Sequence, residues 1–399
     1  MKVLQVNIFG NLSTGRIAVD LYRTLRENGH EGIVAYARNT IAEDIPAIKI
    51  GNKASIYADG IMTRITDKAG FYSKASTKKL IHSIINYNPD IIHLHNIHGY
   101  YVNIKILFNY LKSCGKPVVW TLHDCWAYTG HCCYYSIANC NLWKTGCHNC
   151  PQKKAYPRSL LVDNSQWNYN IKKELFTNVP NMHLVTVSKW LANEVGKSYL
   201  KNLPCSTIYN GIDIEVFKPR KSNFKKRYGL KDKFIILGVA STWDHRKGLD
   251  DFIALSELLD ENYIIVIVGV NKHENKMLKR NMIGISRTNS TKELAEIYTA
   301  ADVFFNASIE ETFGLPTVEA IACGTPAIVY ESTALPEVIN KQTGLIAEPR
   351  NVNQVAALIT EIRSGLHKFS FNSSEYDKKI NYAKYLDLYK VILDTTREY

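Results

Sequence analysis

Two carboxylates stand eight positions apart, Glu311 and Glu319, in the string SIEETFGLPTVE at residues 308–319. Between them lie Phe313, Gly314, Leu315 and Pro316, and the apolar run 303–305 just before them reads as a buried strand. Gly314 lets the backbone approach a ligand closely, and Pro316 suits the first turn of a helix. A helix starting there aims its free N–H groups and positive dipole end at whatever Gly314 admits. That is a phosphate-binding corner, flanked by two carboxylates able to accept hydrogen bonds from sugar hydroxyls. Glu310 beside Glu311 is expected to point its side chain elsewhere.

Expulsion of a diphosphate gathers negative charge on the leaving oxygens, which must meet a cation where water is excluded. One solution is an Asp-x-Asp motif holding a divalent metal, and the sequence contains none. Fixed Arg and Lys plus a helix N-terminus are the other solution, and Arg246 and Lys247, ahead of Gly248, fit it between a strand and a helix. Near the N-terminus, Gly10 and Gly15 flank a polar turn between a strand and a helix, a ligand-side loop without the full Gly-x-Gly-x-x-Gly pattern. The string TLHD at 121–124 ends another strand and presents His123. His93 and His95 alternate on one face of a further strand end, followed by His98. No metal is assigned to them.

Six of the nine cysteines fall between Cys125 and Cys150. Cys147 and Cys150 have zinc-knuckle spacing, and Cys132 and Cys140 could complete a tetrahedral thiolate set. Cys133, His131 and His148 are substitute ligands. In a cytoplasmic chain a metal staple explains such a cluster better than disulfides do. Four thiolates leave no open coordination position, so the expected zinc is structural; a redox or purely apolar cluster is the alternative.

These residues need elements to hold them. Strands are predicted over residues 2–8, 32–36, 90–95, 117–122 and 183–187, alternating with amphipathic stretches such as 77–87, 104–112 and 190–199. After a turn at 209–213 the rhythm restarts, with strands at 234–239, 263–268, 302–305 and 327–330 and helices from Gly248, at 292–300, 353–364 and 375–393. The pattern predicts an α/β chain of two doubly wound, mostly parallel domains.

Taken together, the Glu311-x7-Glu319 string, the Lys247-Gly248 pair, the TLHD strand end and the segment from Asn210 to Pro219 resemble the retaining GT-B glycosyltransferases of glycosyltransferase family 4. The resemblance covers nearly the whole chain. It implies two Rossmann-like domains facing a cleft: an acceptor-side domain over 1–218 with a Cys-rich insertion near 125–151, a donor-nucleotide domain over 219–375, and a last helix, 376–399, packing back on the first. It also implies roles. Glu319 would hold the ribose of the nucleotide, Glu311 and His123 the transferred sugar, and Lys247 the diphosphate, with Phe313, Gly314 and Leu315 offering backbone N–H groups and Gly10 and Gly15 lying near the donor. The family pairs its lysine with an arginine several residues upstream; here 238–243 has none, and Arg246 is the candidate replacement, although adjacent side chains on a loop need not converge. The Cys-rich insertion is similar to one found in enzymes of bacterial surface polysaccharides, relatives of colanic acid transferases.

The implied reaction moves a sugar from a UDP- or GDP-linked donor to a glycan or lipid-linked acceptor, with no cofactor for catalysis. A nucleotide-sugar epimerase and a non-catalytic sugar-nucleotide-binding protein are the alternatives. Composition agrees with a folded chain: 46% hydrophobic and 22% charged over 399 residues, which excludes a disordered protein. The net charge of +12 is spread along the sequence without a nucleic-acid module, so an anionic substrate, a membrane surface or a merely solvated exterior accounts for it, and no nucleic-acid partner is expected. No apolar run reaches membrane-spanning length and the N-terminus enters a strand at once. The expected location is the cytoplasm, with peripheral contact at the inner membrane face.

Overall fold

A computed structural model, described over residues 1–372 and 374–397, divides the chain into two compact units. The first comprises Met1–Tyr209 with the chain from Asn381 onward, and the second Asn210–Ile380.

The first unit holds a seven-stranded sheet in the order β3-β2-β1-β4-β5-β6-β7. Its strands are β1 (Lys2–Phe9), β2 (Glu31–Arg38), β3 (Ala47–Lys49), β4 (Ile91–Leu94), β5 (Val118–Leu122), β6 (Met182–Thr186) and β7 (Cys205–Thr207). Every pairing is parallel, with Val3 opposite Gly32 on one side and Ile91 on the other. The central strands read as continuous apolar runs because helices cover both faces. One layer of that cover is the last helix, Lys378–Arg397, which sends Tyr382, Tyr385, Leu386 and Tyr389 into a core with Val3, Ile17, Leu21, Ile91, Val119 and Val185. Two of its hydroxyls meet polar groups of the sheet: Tyr389 pairs with His93 Nδ1 at 2.7 Å and Tyr385 with Thr121 Oγ1 at 3.1 Å.

The second unit repeats the plan with six parallel strands, ordered β10-β9-β8-β11-β12-β13. They are β8 (Phe234–Val239), β9 (Tyr263–Val268), β10 (Met282–Ile285), β11 (Val303–Asn306), β12 (Ala327–Tyr330) and β13 (Gly344–Ala347). Its core gathers Ile236, Phe252, Ile265, Ile267, Phe305, Ile328 and Tyr330. In each sheet the chain builds outward from one strand, then returns to its other side. The reversals fall between β1 and β4 and between β8 and β11, the places beyond the strands' carboxyl ends where doubly wound sheets bind ligands.

Two expectations are corrected. The first unit ends at Tyr209 and not at 218, because Asn210–Pro219 packs on the second unit: Ile212 bridges Asp377, Phe217 lies 6.2 Å from the Tyr298 ring, and Asp213 binds Lys378 at 2.9 Å. The last helix passes to the first unit at Asn381, five residues later than 376. The four strands not anticipated, β3, β7, β10 and β13, are the outermost of the two sheets. Each is three or four residues long and partly exposed, whereas the equally short β4, β11 and β12 are wholly buried and largely apolar. Helices Lys53–Thr66 and Ser165–Phe176 were likewise not anticipated.

Replacing Tyr389 separates its two contributions to the first unit. Tyr389→Ala empties a fully buried ring and should cost about 3–5 kcal/mol. Tyr389→Phe leaves His93 Nδ1 without its partner and should cost about 1–3 kcal/mol. Urea denaturation followed by circular dichroism measures both.

Candidate active site

The loops after β8 and β11 meet at the reversal of the second sheet. Asp244 caps the short turn His245–Lys247, its carboxylate accepting from the N–H groups of Arg246 and Lys247 at 3.1 Å each. Gly248 then turns left-handed (φ 72°) to start the helix Leu249–Leu258. A Cβ there would stand 2.4 Å from the Ala307 carbonyl oxygen, so only glycine lets this turn lie on the end of β11. The result is convergence. Ile309 N–H donates to the Arg246 carbonyl at 3.0 Å, Arg246 Nη1 donates to the Glu310 carbonyl at 3.1 Å, and Lys247 Nζ forms a salt bridge with Glu311. Arg246 and Lys247, adjacent in sequence, thus act on the same corner. From the other side, Thr333 Oγ1 accepts from the Glu311 N–H at 2.9 Å.

Burial pushes the Glu311 carboxyl up, but the charges of Lys247 and Arg246 and the hydrogen bond from Lys247 outweigh it and hold the group below its ordinary value. Gly314 (φ 96°) caps the helix Leu315–Ala322, which has Pro316 in its first turn, and a Cβ on Gly314 would press within 2.9 Å of Leu335. Pro316 has no N–H and the Thr317 N–H donates to the Gly314 carbonyl at 2.9 Å, so the N–H of Leu315 is the one that precedes the helical ladder here, a few residues after Glu311. Phe313 is buried, with its ring 6.1 Å from that of Tyr376, so its offer to a ligand is backbone. Leu315 is half-buried at the helix start. Glu319 stands apart from Glu311, buried, with Tyr298 donating to its Oε2 at 3.0 Å. Glu310, expected to point elsewhere than Glu311, is 2% exposed and more deeply buried than Glu311. Adjacency to Glu311 gave no sign of that.

In the first unit the corresponding edge carries histidines. His123 follows β5, and its Nε2 pairs with His95 Nδ1 at 3.1 Å; His95 Nε2 reaches Gln5 at 3.0 Å. His93 is held by Thr121 at 2.8 Å and by Tyr389. All four ring nitrogens of His93 and His95 are therefore taken, which leaves no ligand atom for a metal. Burial pulls His123 down to about 4 and His93 to about 3, with His95 also well below its ordinary value, so these imidazoles are neutral at pH 7. Beside them His98 Nε2 binds Asp124 at 2.7 Å and His98 Nδ1 meets Tyr156 at 3.3 Å. Gly10 and Gly15 bring the loop after β1 to the same edge, where a Cβ on either would strike backbone, Thr40 O at 2.5 Å or Phe9 O at 2.7 Å.

Cys132, Cys140, Cys147 and Cys150 line one cavity, together with His131 and His148. Cys132 and Cys150 share a hydrogen bond, and Gly130 N–H donates to Cys147 Sγ at 3.1 Å. Three donor atoms do lie within 4.8 Å of one another among the described residues, but they belong to His98, Asp124 and Cys133, where both His98 nitrogens are already engaged. His131 bonds Asp67 through Nδ1, while its buried Nε2 has no hydrogen-bond partner. A ring oriented by a carboxylate on one nitrogen and open on the other is the form of a metal-binding histidine. Lys172 is fully buried beside this cluster with its ammonium 3.8 Å over the Trp126 ring. Burial pulls it down to about 7 against the opposing pull of Cys147, Cys133, Cys132 and Asp124. No spacing in the sequence marked it.

Two parallel doubly wound sheets, with charged groups gathered at the reversal of one and histidines at that of the other, define a GT-B protein. Two family models divide the chain between them, Glycosyltransferase Family 4 over residues 14–216 and Glycosyl transferases group 1 over 220–379, and the chain belongs to this glycosyltransferase family. It is 25% identical to WcaC of Escherichia coli K12, assigned as a colanic acid biosynthesis glycosyl transferase, over 68% of this chain and 67% of that one. An uncharacterized glycosyltransferase of Methanocaldococcus jannaschii is also 25% identical, over 90% and 87%. In fold, it is similar to Anabaena HepE in complex with UDP, with a TM-score of 0.68, 14% identity and coverage of 98% and 100%.

The Lys247–Glu311 pair gives an acid signature. Because the folded Glu311 carboxyl lies below the ordinary value of about 4.3, its stabilisation is present above that pH and is lost as pH falls through the lowered value. Glu311→Gln should make the second unit less stable at pH 7, by up to about 3 kcal/mol, because the Lys247 ammonium stays with no counter-charge. The deficit should shrink in urea melts repeated at successively lower pH from about 4.3 downward.

Proposed function

We propose that this glycosyltransferase moves a sugar, with retention of configuration, from a UDP- or GDP-linked donor to a glycan or lipid-linked acceptor in surface-polysaccharide biosynthesis, in the cytoplasm at the inner membrane face. The observation that carries the donor reading is the convergence of Arg246 and Lys247 on Glu311 at the β8/β11 reversal, next to the helix opened by Gly314. WcaC, by its colanic acid assignment, and HepE, by its UDP, support the pathway and the donor class.

In this reading the donor binds the second unit. Its diphosphate meets Lys247, Arg246 and the N–H groups of Phe313, Gly314 and Leu315, fixed dipoles and charges aimed where the leaving oxygens gain charge. Tyr298 orients Glu319 toward the ribose, and Glu311 both steadies Lys247 and accepts from a sugar hydroxyl. His123, neutral and turned by His95, offers a nitrogen or N–H to another sugar hydroxyl from the acceptor-binding unit. The acceptor hydroxyl attacks the face the diphosphate leaves, and a diphosphate oxygen takes its proton. No Asp-x-Asp is present, and turnover is assigned to no divalent metal.

Four single variants test the assignment. Glu319→Ala should chiefly raise the donor's dissociation constant, whereas Lys247→Ala should chiefly lower kcat by about 10²–10³. Glu311→Ala should follow Lys247→Ala. Glu310→Ala, its side chain being buried, should lower the melting temperature more than kcat. A nucleotide-sugar panel gives the wider check. Turnover that requires an acceptor fits the proposal, and isomerisation without one ends it.

We also assign one structural zinc to Cys132, Cys140, Cys147 and Cys150, with His131 the alternative ligand, since all five line one cavity. Metal analysis should find about one zinc per chain, with Zn–S distances of about 2.3 Å by X-ray absorption. Stripping it with a strong chelator should unfold the first unit, while a mild chelator should leave turnover intact. Restoration of lost turnover by magnesium or manganese would contradict metal-independent catalysis.

A further inference from the structure

Helix Lys53–Thr66 is inside out. The residues it buries are Asp59, Gly60 and Thr63, while its exposed face carries Ala54, Tyr57, Ala58, Ile61, Met62 and Ile65. At 100° per residue these six fall in one arc of about 140°. Tyr57 is 73% exposed, Ile61 41% and Ile65 42%. The buried carboxylate is accommodated, as Asp59 accepts from Ser73 and Thr63, so the helix is not a misplaced core element. An outward apolar stripe on a helix whose inner face is polar is unlike the scattered surface hydrophobics of ordinary chains.

The stripe is extended by a second segment. Leu160 N–H donates to the Arg64 carbonyl at 2.7 Å and Asn164 Nδ2 to the Thr66 carbonyl at 2.6 Å. This fastens residues 160–164 to the end of the helix, and Leu160, Leu161 and Val162 are all exposed, Leu161 by 67%. Trp167, itself exposed, packs on Phe71 at 4.8 Å with the Lys68 ammonium 4.4 Å over its ring. Cations outnumber acids around the patch. Lys53 opens the helix, Arg64 is exposed on it, Lys68 follows it and Arg158 precedes the aliphatic triplet. Against them stands the exposed Asp163, which follows the triplet and accepts from the N–H groups of Cys150 and Ser165, while the helix's own single acid, Asp59, is buried.

From this surface we infer that the first unit docks on an anionic lipid bilayer, with helix Lys53–Thr66 lying in the interface plane and Leu160–Val162 beside it. Apolar side chains enter the acyl boundary, Tyr57 and Trp167 sit at headgroup level and the lysines and arginine meet lipid phosphates. A second copy of the chain fits the patch less well. A two-fold contact would set Lys53, Lys68 and Arg158 against their own copies, and like charges brought together across an interface are costly. Tyr156, just before the aliphatic triplet, runs from the patch to the histidine edge, where its hydroxyl meets His98. A lipid-linked acceptor held in the bilayer would therefore arrive next to that edge. That last step rests on the transferase reading, but the docking surface does not.

The test is flotation of the full chain with phosphatidylcholine vesicles, with and without about one quarter phosphatidylglycerol, at physiological salt. Wild type should float with the anionic vesicles and stay behind with the neutral ones. Ile61→Glu/Ile65→Glu should lower the partition coefficient by at least about tenfold, since each isoleucine contributes burial to the bound state. Both positions are exposed, so the variant should keep its melting temperature and its thermal shift with UDP or GDP. Loss of that shift in wild type and variant alike would count against the donor reading and leave the docking result standing. Failure of wild type to float with anionic vesicles, or equal flotation of the variant, would overturn the proposal. So would a wild-type dimer that light scattering shows becoming a monomer in the variant.

Discussion

A mostly buried ammonium and a mostly buried carboxylate, Lys247 and Glu311, are tolerable only together, and much of the second unit is arranged to bring them together. Each would be expensive alone in that environment. The pair forms because the sheet reverses between β8 and β11, which makes neighbours of two loops more than sixty residues apart in sequence. Gly248 lets the first loop lie against the end of β11, and Asp244 fixes its turn. Thr333 and Ala334, arriving after β12, hold the backbone of Glu311 in place. Lys247 and Glu311 are consequently held to each other by contacts from three separate loops.

The first unit solves a different problem, that of placing polar rings at the end of a sheet buried on both faces. His93 and His95 carry nitrogens that cannot be left unpaired there, and each is satisfied by a side chain from another element: Thr121, Tyr389, Gln5 and His123. Neutral histidines suit this site. A charged ring would meet the desolvation that already holds His123 down to about 4. The last helix enters as structure, because the tyrosines that fill the core also supply hydroxyls to that network.

The cysteine segment and the inside-out helix share a fastening. Asp67, left-handed at the end of helix Lys53–Thr66, accepts from His131 and from the N–H of Asn164. One buried carboxylate thus ties the cysteine segment, the aliphatic triplet region and the outward apolar face together.

Short-range order was written plainly in the chain. The apolar runs of the central strands, the glycine and proline at 314 and 316, and the spacing of Glu311 and Glu319 each act within a dozen residues, and local backbone sterics and periodicity suffice to read them. The resemblance to family 4 was legible for the same reason, since its motifs are local strings. Edge strands β3, β7, β10 and β13 were not: the equally short β4, β11 and β12 lie inside their sheets and are wholly buried, hence largely apolar runs, whereas an edge strand is partly exposed and is defined by the one neighbour it pairs with. Helix Lys53–Thr66 has a clear apolar stripe, but nothing in the sequence says whether a stripe faces the core or the outside. Only packing decided that Asp59 and Thr63 turn inward, that Glu310 is buried and that adjacent Arg246 and Lys247 converge. These are statements about which distant side chains share a volume, and that is fixed when non-local surfaces are buried together.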